Sequence, residues 1–160
     1  MESETPRSQN EILGAALRLI RLHRRMKPAD VAKKMGIAKR TYEHFEAGKG
    51  AINLERIHRF AEATDSDPYA IIDCMALASP EFALRCADNK AMVAWKVVTQ
   101  EFNAEVGDAI MELETASIIN AFTKTLKDLA LQAVRRDDAA KAWLEQRLGR
   151  LLKPTSDEED

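Results

Sequence analysis

The stretch KKMGIAKRTYEHFEAGKG, Lys33 to Gly50, decides the reading of the chain. Gly36 and Gly48 stand where glycine commonly follows the last turn of a helix. Between them, Lys39 to Ala47 reads as one short helix after a tight turn at Gly36-Ile37. At about 100° per residue its side chains sort onto two sides. Thr41, Tyr42 and Phe45 fall on one side, where the two rings can anchor the helix to a core. Lys39, Arg40, Glu43 and His44 fall on the other, within about 140° of arc.

The flanks continue the helical pattern. Upstream, Ser8 and Glu11 have the spacing of a capping box. Ile12, Leu13, Ala16, Leu17, Ile20 and His23 then follow at helical intervals, so helix one covers about Gln9 to Arg24. Pro28 opens a second short helix, with Val31, Ala32 and Met35 inward. Downstream, Asn53 caps a fourth helix that turns Leu54, Ile57, Phe60 and Ala61 inward. Asp67-Pro68 opens a fifth, with Tyr69, Ile71, Ile72 and Met75 available to pack, and Ser79-Pro80 begins another short segment.

From Asn89 the pattern lengthens. Met92, Trp95, Thr99, Phe102 and Val106 recur at intervals of three and four up to Gly107, which breaks or bends the helix. Ile119, Phe122, Leu126, Leu129 and Ala133 repeat that spacing. The sequence RRDD at Arg135–Asp138 reads as a boundary, and a last helix carries Trp143, Leu144, Leu148, Leu151 and Leu152. Ala, Leu, Glu, Lys and Arg dominate and β-branched runs are scarce, so the chain reads as all-α. Residues 1–7 read as a flexible arm, 8–78 as one domain, 79–152 as a helical region and 153–160 as a disordered acidic tail.

Charge separates the two regions. Ile12 to Phe60 holds twelve Lys/Arg against four Asp/Glu, a net +8, so the rest of a chain of net charge −2 carries −10. A basic block on an acidic chain suggests a polyanion as the partner of that block, with a solvated basic face as the alternative on charge alone. The polar side of the third helix fits a DNA major groove: Lys39 and Arg40 can donate to guanine O6 and N7, His44 to an acceptor or a phosphate, and Glu43 can accept from cytosine N4.

Other classes of function find little support. No stretch approaches the roughly 20 apolar residues of a membrane span, and the N-terminus lacks the pattern of a signal peptide, so a cytoplasmic protein is expected. Cys74 and Cys86 lie in apolar helical patterns and read as reduced core thiols. His23, His44 and His58 have no metal-ligand spacing, and no nucleophile–base pattern or phosphate loop appears. No enzyme, no catalytic residue, no cofactor and no metal are therefore expected.

The segment 9–77 closely resembles the helix-turn-helix domain of the Xre family, the lambda-repressor-like regulators. Ala32, Gly36, Ile37, Glu46 and Gly48 match the family pattern in register without gaps, flanked by Leu17, Arg18 and Arg21 and by the sequence DSDPYAIID. The resemblance implies a five-helix DNA-binding domain. It places base contacts on Lys39, Arg40, Glu43 and His44. Phosphate contacts fall on Lys49, and among Arg24, Arg25, Lys27, Lys33, Lys34 and Thr41. Arg21 and Glu46 occupy positions that the family pairs to brace the third helix. Two departures stand out: Pro28 replaces a polar residue at the start of helix two, and Ala38 replaces the hydroxyl cap of helix three.

The remainder resembles no named family. Its stripe of Ile119, Phe122, Leu126 and Leu129 suits a helical dimerisation region, or an intramolecular bundle in which the apolar stripes pack against one another. The function so implied is that of a bacterial or phage transcription regulator, more often a repressor, acting as a homodimer on a pseudo-palindromic site in double-stranded DNA. The alternative is an antitoxin-type interaction protein that binds a partner protein through its C-terminal helices and autoregulates through its helix-turn-helix.

Overall fold

The computed structural model describes residues 8–151. The expectations for 1–7 and 152–160, and for the side chains of Leu144, Leu148 and Leu151, lie outside the described residues. Eight α-helices and one 3-10 helix, with no strand, account for the described residues, so the chain is all-α. It divides into two units, Met1–Glu105 and Val106–Asp160.

In the first unit, α1 (Gln9–His23) opens on the expected capping box. The Ser8 hydroxyl accepts from the Glu11 N–H at 3.3 Å, and the Glu11 carboxylate accepts from the Ser8 N–H at 2.7 Å. The short helices α2 (Pro28–Met35) and α3 (Lys39–Glu46) follow, then α4 (Leu54–Thr64), whose Asn53 side chain accepts from the Arg56 N–H at 2.9 Å. Next come α5 (Pro68–Ala76), α6 (Pro80–Arg85) and α7 (Ala91–Val106). Leu17, Ile20, Val31, Tyr42, Ile57, Phe60 and Ile71 are fully buried at the centre. Each such side chain contributes roughly 1.5–3 kcal/mol by leaving water.

The core runs past the boundary expected at residue 78. Helix α6 packs on α1 and α5, and Ala83, Cys86 and Ala87 are buried, so six helices share the core instead of five. Cys74 and Cys86 are free, buried thiols, and burial pushes the Cys74 thiol up to about 12. Two inward assignments fail. Leu54 is 56% exposed because it is the first residue of α4, short of the core. His23 is also exposed and faces Asp88 across 3.8 Å.

Asp67 ties two helices together. Its side chain is fully buried, and Oδ1 accepts from the Tyr69 and Ala70 N–H groups, both at 3.0 Å, capping α5. Oδ2 accepts from the Met92 and Val93 N–H groups at 2.8 and 3.1 Å, capping α7. One carboxylate thus satisfies four otherwise orphaned donors at two helix N-termini, where negative charge is favoured. Nearby, Lys90 reaches the Asp65 and Ala87 carbonyls at 2.6 and 2.8 Å and the Asp65 carboxylate at 3.0 Å.

In the second unit, Gly107 (φ +53°) ends the preceding helix and starts a 3-10 helix, Gly107–Glu112. Helix α8 (Thr115–Leu151) then runs without a break through Arg135–Asp138, where a boundary was expected. Neither Arg nor Asp obstructs helical geometry, and Asp137 pairs with Lys141 one turn on, at 2.7 Å. None of the described residues of this unit is buried. No helix among the described residues is long and apolar enough to cross a membrane.

Asp67→Ala should cost about 2–4 kcal/mol, since it removes two caps and leaves four donors unpaired. Asp67→Asn should cost less, because the amide oxygen can still cap one of the two helices. Chemical denaturation of both variants, read by far-UV circular dichroism, checks the order.

Candidate nucleic-acid interface

Helices α2 and α3 make the expected helix-turn-helix, and backbone hydrogen bonds set its turn. Gly36 takes a left-handed conformation (φ +67°), and the Ile37 N–H returns to the Ala32 carbonyl at 3.0 Å. This closes α2 with a Schellman motif and lets the chain reverse over Ile37, which packs partly into the core. Helix α3 is preceded by Ala38, which offers no side-chain cap. The departure noted in the sequence therefore stands in the structure, and packing holds α3 instead.

That packing has three parts. Tyr42 and Phe45 are 0% and 4% exposed, with the Tyr42 ring stacked on Phe60 at 6.3 Å between centroids. The Arg56 guanidinium covers the Phe45 ring at 5.5 Å. At its C-terminal end, α3 meets α1 backbone to backbone. A Cβ on Gly14 would stand 2.5 Å from the Glu46 carbonyl oxygen, and a Cβ on Gly48 (φ +67°) would stand 2.4 Å from the Asn10 carbonyl oxygen. Only residues without a side chain permit this approach. The Asn10 side chain adds a hydrogen bond to the Gly50 carbonyl at 3.1 Å.

The third part is the pair Arg21–Glu46. Arg21 Nε and Nη2 donate to the Glu46 carboxylate at 2.6–3.1 Å, and Nη1 donates to the Met26 carbonyl at 3.1 Å. Both side chains are only 11% exposed. Glu46 raises the Arg21 pKa further, chiefly through the hydrogen bond, so this cation stays charged. The buried Tyr42 hydroxyl makes no hydrogen bond, and its own burial, with Glu46 beside it, raises its pKa. The pair links α1, the α1–α2 turn and α3 in one bidentate contact.

With one side of α3 fixed, Lys39, Arg40, Thr41, Glu43 and His44 are all exposed. Lys39 and Glu43 pair across one turn at 3.4 Å. Lys33 and Lys34 on α2, and Lys27 and Lys49 in the turns that precede α2 and follow α3, are also exposed. Arg24 does not join this set. Its guanidinium donates to the Thr64 and Asp65 carbonyls at 2.8 and 2.7 Å and pairs with Asp88 at 2.7 Å, so it serves the core. The sequence expects a phosphate contact from Arg24, and in the structure its guanidinium is engaged within the chain.

Two features of the surface were not singled out from the sequence. Gly14 looked like an ordinary mid-helix glycine, and only the α1–α3 approach gives it a role. Asn10 gave no signal. Arg18 lines an open groove of about 340 Å³ with Arg21, Pro28, Glu43, Glu46 and Ala47, which sets a cation next to the proline that replaces a polar residue. Among the described residues, no group of His, Cys, Asp or Glu is arranged to hold a metal ion.

Glu46→Ala should destabilise the fold by ~2 kcal/mol and leave the largely buried Arg21 without its partner. The double variant Arg21→Ala/Glu46→Ala should cost less than the sum of the single ones. Gly14→Ala should cost about 1–3 kcal/mol through overpacking against backbone. Thermal unfolding of the four proteins checks these values.

Comparison with known proteins agrees with this geometry. Residues 12–69 match the model of a helix-turn-helix domain family. No curated protein matches the chain. Among solved structures, the clp gene regulator ClgR from C. glutamicum aligns with a TM-score of 0.42 at 19% identity, over 45% of this chain and 94% of that one. By local geometry and family match, residues 12–69 form a helix-turn-helix domain.

Proposed function

We propose that the protein is a sequence-specific DNA-binding transcription regulator that acts as a homodimer, in the manner of a repressor, on a pseudo-palindromic site. The observation that carries this reading is the split of α3. Tyr42, Phe45, the two glycine contacts and the Arg21–Glu46 pair hold one side, and Lys39, Arg40, Glu43 and His44 are displayed on the other. A helix held this rigidly can present side chains to base edges without a large ordering cost.

The residues divide by role. Arg40 donates in bidentate fashion to guanine, and His44 reaches a base or a phosphate one turn along. Lys39, turned towards Glu43, reads bases together with it. Lys27, Lys33, Lys49 and Thr41 meet phosphates, which set register and supply most of the affinity. A single such helix covers few base pairs. Two copies related by a two-fold axis, with half-sites about 34 Å apart, extend the site. The stripe Ile119, Phe122, Leu126 and Leu129 on α8, 48–57% exposed, supplies the surface that joins them.

A binding site selected from random duplex DNA by the full chain gives the probe. Arg40→Ala should cost about 1–3 kcal/mol on that site and relax base preference at one position per half-site. Lys49→Ala should weaken binding to all sequences alike and reduce the salt slope by about 1. Equal, sequence-independent losses for both variants would overturn the assignment of α3 as the reading helix.

A further inference from the structure

We infer that Arg18, on α1, holds a backbone phosphate of the duplex at the margin of the groove that α3 enters. This rests on the DNA-reading role of α3 proposed above and adds a contact from outside the helix-turn-helix. Asn10, Gly14 and Arg18 follow one another at intervals of four, so they form one row along α1. The first two levels of that row are fixed against the chain that ends α3. Asn10 donates to the Gly50 carbonyl at 3.1 Å, and Gly14 lies against the Glu46 carbonyl with no room for a Cβ. The third level brings Arg18 to a groove of about 340 Å³ that it shares with Pro28, Glu43, Glu46 and Ala47. Glu43 belongs to the exposed side of α3, so the groove opens beside the base-reading residues.

The charges in the groove single out Arg18. Arg21 and Glu46 satisfy each other at 2.6 Å, and Glu43 pairs with Lys39 at 3.4 Å. Arg18 is exposed, and its guanidinium has no hydrogen-bond or ion-pair partner among the described residues. It is therefore the cation of this groove left without a counter-charge. Little else there can bind an anion. Pro28 has no N–H and Ala47 has no side-chain donor. The Asp30 carboxylate already occupies the start of α2, where it accepts from the Lys27 N–H at 3.2 Å. Shape decides which part of the duplex Arg18 meets. An α-helix is about 10–12 Å across with its side chains and the major groove is about 12 Å wide, so α3 fills it. A side chain from the neighbouring helix then meets the wall of the groove, which is phosphate, and not base edges. The planar guanidinium suits that ligand, since it donates two parallel hydrogen bonds to phosphate oxygens.

Binding of the full chain to its selected duplex and to an unrelated one, measured over a series of salt concentrations, tests this. Arg18→Ala should weaken both about fivefold and lower the slope of log affinity against log salt by about 1. Arg18→Lys should restore the slope and only part of the affinity, because an ammonium does not donate in parallel. Neither change should alter thermal unfolding, since Arg18 is exposed and unpaired. Uncharged methylphosphonates placed one at a time along the duplex locate the contact. At one phosphate per bound α3, the replacement should weaken the wild type about fivefold and Arg18→Ala hardly at all. If Arg18→Ala matches the wild type in affinity and slope while Arg40→Ala loses its site, the Arg18 contact is overturned and the role of α3 stands. The same follows if Arg18→Ala relaxes base preference at one position, or if every methylphosphonate weakens it as much as the wild type. A wild-type chain that selects no sequence at all would overturn the reading of α3 and this inference with it.

Discussion

The meeting of α1 with the end of α3 is the constraint on which the rest of the DNA-binding unit depends. Two backbones approach there until no Cβ fits, at Gly14 against Glu46 and at Gly48 against Asn10. Directly beside this contact, Arg21 clasps Glu46 with two donors. The glycines set the distance and the ion pair sets the rotation of α3 about its own axis. A rotation of α3 by one residue position, about 100°, would turn Arg40 away from its present side and bring a core ring to the surface. Weak capping at Ala38 is tolerable because this end of the helix is so firmly held.

The same logic explains which features the sequence displayed and which it hid. The helix ends at Gly36 and Gly48 were legible because glycine marks a left-handed residue. The chain uses the same backbone conformation at Arg25, Asp65, Ala78 and Lys90, where no glycine announces it. The pairing of Arg21 with Glu46 was expected from the family resemblance, whereas Gly14 opposite Glu46 required knowledge of how α1 and α3 cross. Arg24 looked like one more cation in a basic block. Its true neighbours, the carbonyls of Thr64 and Asp65, are distant in sequence and carry no side-chain signal. Asp67 was read as the cap of one helix and serves two, because its second oxygen meets a helix that starts 24 residues further on, at Ala91.

Boundaries were the least legible feature. Ser79-Pro80 marks a local helix start, yet α6 belongs to the same core, since its small residue Ala83, with Ala87 just after the helix, lets it lie close against α1 and α5. RRDD marks a change in surface chemistry and no change in backbone. Composition reports where a chain meets water; it does not report whether a helix stops. On α8 this distinction matters, because an unbroken helix turns four charged residues into part of one continuous surface.

The central claim is that the exposed side of α3, held by α1, is the DNA-reading surface. Amide chemical shifts of the full chain, followed during titration with a duplex selected from random sequence, test it most directly. The largest changes should fall on Lys39 to Gly50, with smaller ones at Lys27, Lys33 and Lys34. The surface around His58 and Glu62 should stay unchanged. Shifts confined to that surface or to α8, with Lys39, Arg40 and His44 unmoved at saturation, would contradict the account.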